Sequence, residues 1–127
     1  MNPELIILHE NVIKRESPEE IGSIIPLLKK RSHLAVFSDN SLEELEINLN
    51  NLDIKNEFEL IHNNLNHIVT NLNFNPEATV VVSDSIDHLN EAKNSGVNFI
   101  AIEGSNKREE FNNEGCFIVL NSLADLI

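Results

Sequence analysis

One alternation runs through the whole chain: short apolar runs separated by segments whose apolar residues recur every three or four positions. The runs are Leu5-Ile6-Ile7-Leu8, Leu34-Ala35-Val36-Phe37, Thr79-Val80-Val81-Val82, Phe99-Ile100-Ala101-Ile102 and Phe117-Ile118-Val119-Leu120, with a shorter one at Phe58-Glu59-Leu60-Ile61. The five main runs do not alternate between apolar and polar, so they read as strands covered on both faces, the condition of a parallel sheet. Between them, Ser17-Pro18-Glu19-Glu20 and Ser41-Leu42-Glu43-Glu44 are capping boxes that open helices. Ile21, Ile24, Ile25 and Leu28 form the buried stripe of the first, which Pro26 should bend. Leu42, Leu45 and Leu49 form the stripe of the second. Leu65, Ile68, Val69 and Leu72 have helical spacing up to Pro76. A helix over residues 86–95 is stopped by Gly96, and a short one over 107–113 is closed by Gly115.

Alternating βα units of this length predict an α/β fold. The expected form is a three-layer, doubly wound (Rossmannoid) parallel sheet, in a single domain over residues 1–127, with the strand at 5–8 central between those at 34–38 and 79–83. Ligands of such folds bind beyond the C-terminal strand ends, near the point where strand order reverses. That rule places His9-Glu10-Asn11, Ser38-Asp39-Asn40 and Ser83-Asp84-Ser85 on one rim.

Charge narrows the partners. A formal net charge of −12 repels phosphodiester backbones and anionic lipid surfaces, so nucleic acid and membranes are not expected as partners. A protein partner or a small ligand is the expected alternative, with the oligomeric state left open. The one concentrated basic run, Lys29-Lys30-Arg31, closes a helix, where cations complement the helix dipole. Cys116 is the only cysteine, set among apolar residues, and reads as a buried thiol. Met1-Asn2-Pro3-Glu4 lacks the basic region of a signal peptide, and no apolar run approaches membrane-spanning length. A cytoplasmic protein is the expectation.

The three rim segments resemble the haloacid dehalogenase (HAD) superfamily, over roughly residues 4–127. The most specific stretch is Val82-Ser83-Asp84-Ser85-Ile86-Asp87-His88, continuing to Ser95-Gly96-Val97, which is similar to that family's fourth motif. By that resemblance Asp84 matches the metal-binding aspartate. Ser83 replaces a glycine, and His88 stands where a second aspartate is usual, with Asp87 one place early. Val36-Phe37-Ser38 resembles the second motif, which implies a phosphate-binding role for Ser38.

The first motif of the family is Asp-X-Asp, supplying the nucleophile and the general acid. Here it is His9-Glu10-Asn11, so both catalytic positions, His9 and Asn11, are degenerate. The lysine of the third motif has no counterpart between Phe58 and Leu72, where Asn63 and Asn64 sit. The short gap before Ser17 leaves no room for the usual hairpin or for a separate cap domain. Without nucleophile, acid and lysine, phosphoryl transfer by the family mechanism is not expected. No cofactor is called for, because Asp84 alone would hold Mg²⁺ weakly.

Other constellations stay open. His9 and His88 could join Asp84 in a two-histidine, one-carboxylate metal site of the zinc or iron type. A solvated or hydrogen-bonded histidine is the ordinary explanation of His9 and outweighs both that site and a role as phosphoryl acceptor. Ser38 and Ser85 also fit as ordinary strand-end and cap residues. His62 and His67 flank a helix start, with no cysteine or carboxylate pair to complete a metal site. Gly104 belongs to no phosphate-binding glycine pattern. The leading expectation is a catalytically inactive HAD-like domain acting as a binding or regulatory module. The alternative is a HAD-like hydrolase, phosphatase or metal-dependent enzyme with a non-standard site. A third reading, a receiver-like doubly wound domain, lacks the acidic cluster and the lysine it would need.

Overall fold

The computed structural model describes residues 3–127; Met1 and Asn2, read above as part of an N-terminus without a signal-peptide pattern, lie outside the described residues. Six strands form one sheet in the order β3-β2-β1-β4-β5-β6, and every pairing in it is parallel. The strands are β1 Leu5–His9, β2 His33–Phe37, β3 Leu60–His62, β4 Thr79–Ser83, β5 Asn98–Ile102 and β6 Val119–Leu120. The helices are α1 Glu10–Lys14, α2 Pro18–Lys29, α3 Leu42–Asn51, α4 Leu65–Asn71, α5 Ile86–Ser95 and α6 Arg108–Asn113.

The central place of β1 follows from its composition. All five of its residues are buried, and it bonds β2 in the register Leu5↔His33 to His9↔Phe37 and β4 from Leu5↔Thr79 to Leu8↔Val82. Alternate side chains leave opposite faces. Ile6 and Leu8 pack with Ile21, Ile24, Ile25 and Leu28 of α2 and with Leu45 and Leu49 of α3. Leu5 and Ile7 pack on the other face with Leu65 and Ile68 of α4 and Ala92 of α5. Each large apolar side chain buried this way contributes roughly 1.5–3 kcal/mol. A strand with both faces covered can therefore be apolar throughout.

Local signals set the helix ends. Ser17 and Ser41 accept the backbone N–H groups of Glu20 and Glu44, each at 3.2 Å. Gly96 adopts φ 74°, the left-handed conformation that ends α5. Pro26 lies on the exposed side of α2, and the helix runs through it to Lys29. Chain order proceeds outward from β1 to β3, then returns across β1 to β4. The reversal point thus lies between the ends of β1 and β4, where His9 meets Ser83 and Asp84. No helix among the described residues is long and apolar enough to cross a membrane.

Candidate functional site

The rim carries three adjoining groups of polar side chains, each tied to a different strand end. The first is organised by Glu10, which follows β1 directly and is buried. Its Oε1 accepts the Ser38 hydroxyl at 2.6 Å and the Asn40 amide at 3.1 Å, while Oε2 accepts the Asn48 amide at 2.6 Å. Lys14, one helical turn further along α1, brings its Nζ to 3.4 Å of Oε2. Burial pushes the Glu10 carboxyl up, but the hydrogen bonds from Ser38, Asn48 and Asn40 and the Lys14 charge outweigh it and hold the group below the ordinary carboxylate value. The Ser38 hydroxyl is thus engaged by an internal carboxylate. A phosphate brought to it would face a like charge, a repulsion on the order of 4 kcal/mol at 4 Å for an effective dielectric near 20.

The second group joins β1, the loop after β2 and α5. The His9 and His88 rings lie with centroids 4.2 Å apart, tilted 34° to each other, and Phe37 meets both edge-on at 4.8 and 5.1 Å. Asp39 bridges them: its Oδ1 lies 3.1 Å from His88 Nε2 and its Oδ2 3.2 Å from His9 Nε2. The contact to His88 is a hydrogen bond. The contact to His9 is close but misaligned, so the buried His9 Nε2 has no hydrogen-bond partner. On the other side of the rings, the Asn11 backbone N–H donates to His9 Nδ1 at 3.1 Å, and Ser83 Oγ sits 2.6 Å from His88 Nδ1. Because Nδ1 of His9 is an acceptor, the neutral ring carries its proton on Nε2. Burial, then the neighbouring His88, lower the His9 pKa to about 4 against the opposing pull of Asp39 and Asp84, so His9 is neutral near pH 7.

Ser83, His88 and Asp39 form a chain of the residue types used in nucleophilic triads. Ser83, however, is the fully buried member and Asp39 the exposed one. Ser83 is therefore placed to orient His88, and the end of the array that faces solvent is Asp39.

The third group surrounds Asp84, just beyond β4. Its Oδ2 accepts the Ser105 backbone N–H and hydroxyl, both at 3.3 Å, while its buried Oδ1 has no hydrogen-bond partner. The loop bearing Ser105 is tied down further by the Asn106 N–H on the Asp84 carbonyl at 3.1 Å and by Asn106 Oδ1 accepting the Ile86 N–H at 2.8 Å.

The residues singled out in the sequence therefore separate. His9 and His88 are brought together, Ser38 is drawn to Glu10, Asp84 to Ser105, and Asn11 contributes its backbone N–H to His9. Asp39 and Glu10, placed on the rim by the sequence but given no part in any ligand set there, turn out to be the two residues that organise it. A cleft of about 440 Å³ lies at the opposite, N-terminal edge of the sheet, lined in part by Lys29, Lys30, Arg31, His33, Glu57 and Glu59. In it Lys29 pairs with Glu57 at 3.3 Å, His33 Nδ1 lies 2.7 Å from Glu59, and Arg31 donates to the Leu126 carbonyl, so two of the three basic side chains of the run have internal partners.

Mg²⁺, the metal implied by the resemblance, is poorly matched by the donors present. Asp84 offers one free oxygen, and the metal-ligating cluster found among the described residues, His9, Asp39 and His88, does not include it and supplies two imidazoles and a single carboxylate. A hard cation that prefers several oxygens does not fit this set.

No family model matches the sequence, and no curated protein matches it. Solved structures do share its fold. A haloacid dehalogenase-like family hydrolase from Streptococcus pneumoniae superposes with a TM-score of 0.76 at 14% identity, covering 84% of this chain and 56% of that one. A predicted phosphatase from Clostridium acetobutylicum gives 0.77 at 18% identity, covering 85% and 56%. A conserved haloacid dehalogenase-like protein of unknown function from Agrobacterium tumefaciens gives 0.70 at 15% identity, covering 98% and 96%. The chain thus spans about half the length of the first two and nearly all of the third.

Proposed function

Given that this chain has the haloacid dehalogenase-like fold, we propose that it is a binding or regulatory module built on that fold, without aspartyl phosphoryl transfer. The reading rests on one observation: where such phosphatases would present a carboxylate nucleophile and a free hydroxyl, this rim presents the His9 imidazole and a Ser38 hydroxyl bonded to Glu10 at 2.6 Å. The one carboxylate at the end of β1, Glu10, is buried and already engaged by Ser38, Asn40, Asn48 and Lys14, so it does not offer itself as a nucleophile to a phosphoryl group. Such a group would also find no third-motif lysine to absorb its charge, since Lys14 lies against Glu10.

A second reading is a hydrolase with a non-standard site. It is favoured by the convergence of His9, His88 and Asp39 and by the likeness of the fold to a haloacid dehalogenase-like hydrolase and a predicted phosphatase. Assays on small phosphate esters with Mg²⁺, Mn²⁺ or Zn²⁺ separate the two. The binding-module reading expects no turnover above that of an Asp84→Ala, His9→Ala double variant. Turnover that Asp84→Ala or His9→Ala abolishes would overturn it in favour of the hydrolase.

A further inference from the structure

We infer that His9, Asp39 and His88 form a binding site for a borderline divalent cation of the zinc class. One ligand atom from each of the three residues lies within 4.8 Å of the other two. The Asp39 oxygens stand 3.2 and 3.1 Å from the two Nε2 atoms, and donors on a tetrahedral zinc with bonds of about 2.0–2.1 Å are roughly 3.3 Å apart. The two imidazole–carboxylate separations thus already suit a common ion, and the ligand atoms, which lie within 4.8 Å of one another, have to draw together for all three to bind it.

Three further features point to a ligand. The His9 Nε2 is buried, faces Asp39 Oδ2 at 3.2 Å and has no hydrogen-bond partner, so in the tautomer protonated on Nδ1 its lone pair would be directed at an ion held by Asp39. His88 is held from behind by Ser83 at 2.6 Å, as outer-sphere partners hold metal-ligating histidines. Asp39 has a side chain 71% exposed, so the position opposite the imidazoles opens to solvent, where a water or a ligand's donor could complete the coordination. The donor set of two imidazoles and one carboxylate selects zinc-class ions over Mg²⁺.

One feature opposes loading. The neutral His9 ring carries its proton on Nε2, because Asn11 N–H donates to Nδ1. Coordination through Nε2 moves that proton to Nδ1, conserving charge, and turns the Asn11 N–H from a donor with an acceptor into one facing another donor. The first turn of α1 must then shift. Binding is consequently weaker than in a closed four-ligand site, and it carries a signature, displacement of the Asn11 amide.

The inference is independent of whether the rim is catalytic. Untagged protein stripped with chelator would be titrated with Zn²⁺ and with Mg²⁺ by calorimetry, with the Asn11 amide followed by NMR. The expected result is one Zn²⁺ per chain, with at least tenfold preference over Mg²⁺, loss of at least tenfold in affinity in Asp39→Ala and in His88→Ala, and movement of the Asn11 resonance. Asp39 is on the surface, so its variant tests the site with the fold intact. Absence of stoichiometric binding overturns the inference. So does binding unchanged by Asp39→Ala and His88→Ala, or binding lost instead in His62→Ala or Cys116→Ser.

Discussion

Glu10 is a charge placed at the top of the sheet and kept ionised there by the groups around it. Its three hydrogen-bond donors, Ser38, Asn40 and Asn48, come from the loop after β2 and from α3, so one carboxylate ties both to the start of α1. Truncation removes the acceptor for all three at once and leaves the O–H of the buried Ser38 without an acceptor, although its oxygen still accepts the Asn40 N–H. Glu10→Ala should therefore cost about 2–4 kcal/mol in chemical denaturation, and Glu10→Gln less, since an amide oxygen can still accept from Ser38. Loss of under 0.5 kcal/mol in Glu10→Ala would mean that water replaces the carboxylate without penalty. The role of Glu10 was only partly legible in the sequence. Its position after an unbroken apolar run put it on the rim, but its partners lie 28 to 38 residues away, and no local pattern names them. The same holds for Asp39, whose histidine partners are joined to it only by the register of β1 with β2 and by the fold-back of α5.

Elements whose signals are local were read closely. The capping boxes at Ser17 and Ser41, the stop at Gly96 and the both-faces-buried pattern of β1, β2 and β4 act within a few residues, so the chain displays them directly. Where neighbours decide, the reading failed. The helix α1 begins without Ser, Thr, Asp or Asn as its cap; His9 supplies the acceptor instead. The apolar run 117–120 yields a strand only from Val119, with Phe117 left 75% exposed beside the sheet edge, because edge pairing ends before the apolar composition does. The loop over residues 103–107 is the clearest long-range element. A Cβ at Gly104 would stand 2.5 Å from Asp84 Oδ2 and 2.9 Å from Asp84 Cβ, so only glycine lets the loop approach closely enough for Ser105 to bond that carboxylate. Gly104→Ala should lift the loop, release Ser105 and cost about 1–3 kcal/mol. Hydrogen exchange at Ser105 should accelerate more than at β1 amides, whereas equal protection in both proteins would show that the loop absorbs the methyl group elsewhere.

Acidification sets two effects of opposite sign against each other across the molecule. Neutralising carboxylates relieves the self-repulsion of a chain with net charge −12, which favours the compact state as pH falls. Against this, the folded protein holds His9 neutral down to about pH 4, although the same side chain takes a proton near 6.5 when unfolded. Between those values the unfolded chain binds more protons, so stability rises with pH there and is lost as pH falls from 6.5 toward 4. A gap of about 2.5 units corresponds to about 3 kcal/mol, fully present above 6.5 and absent below 4. Glu10 acts in the same direction at lower pH. Its carboxyl is held below the ordinary value, so its contribution is present above that value and lost as pH falls through its folded pKa. The groups facing His9 are His88, Asp39 and Asp84, and their charges enter the wild-type slope as well. A difference measurement isolates the histidine. With chelator present, the stability of wild type and of His9→Gln would be measured at intervals from pH 7 to 4. The wild type should show up to about one proton's worth of slope more than the variant between about pH 6.5 and 4, greatest midway between them. Parallel curves would show that His9 titrates normally in the folded protein and that the rim is wetter than its side-chain packing implies.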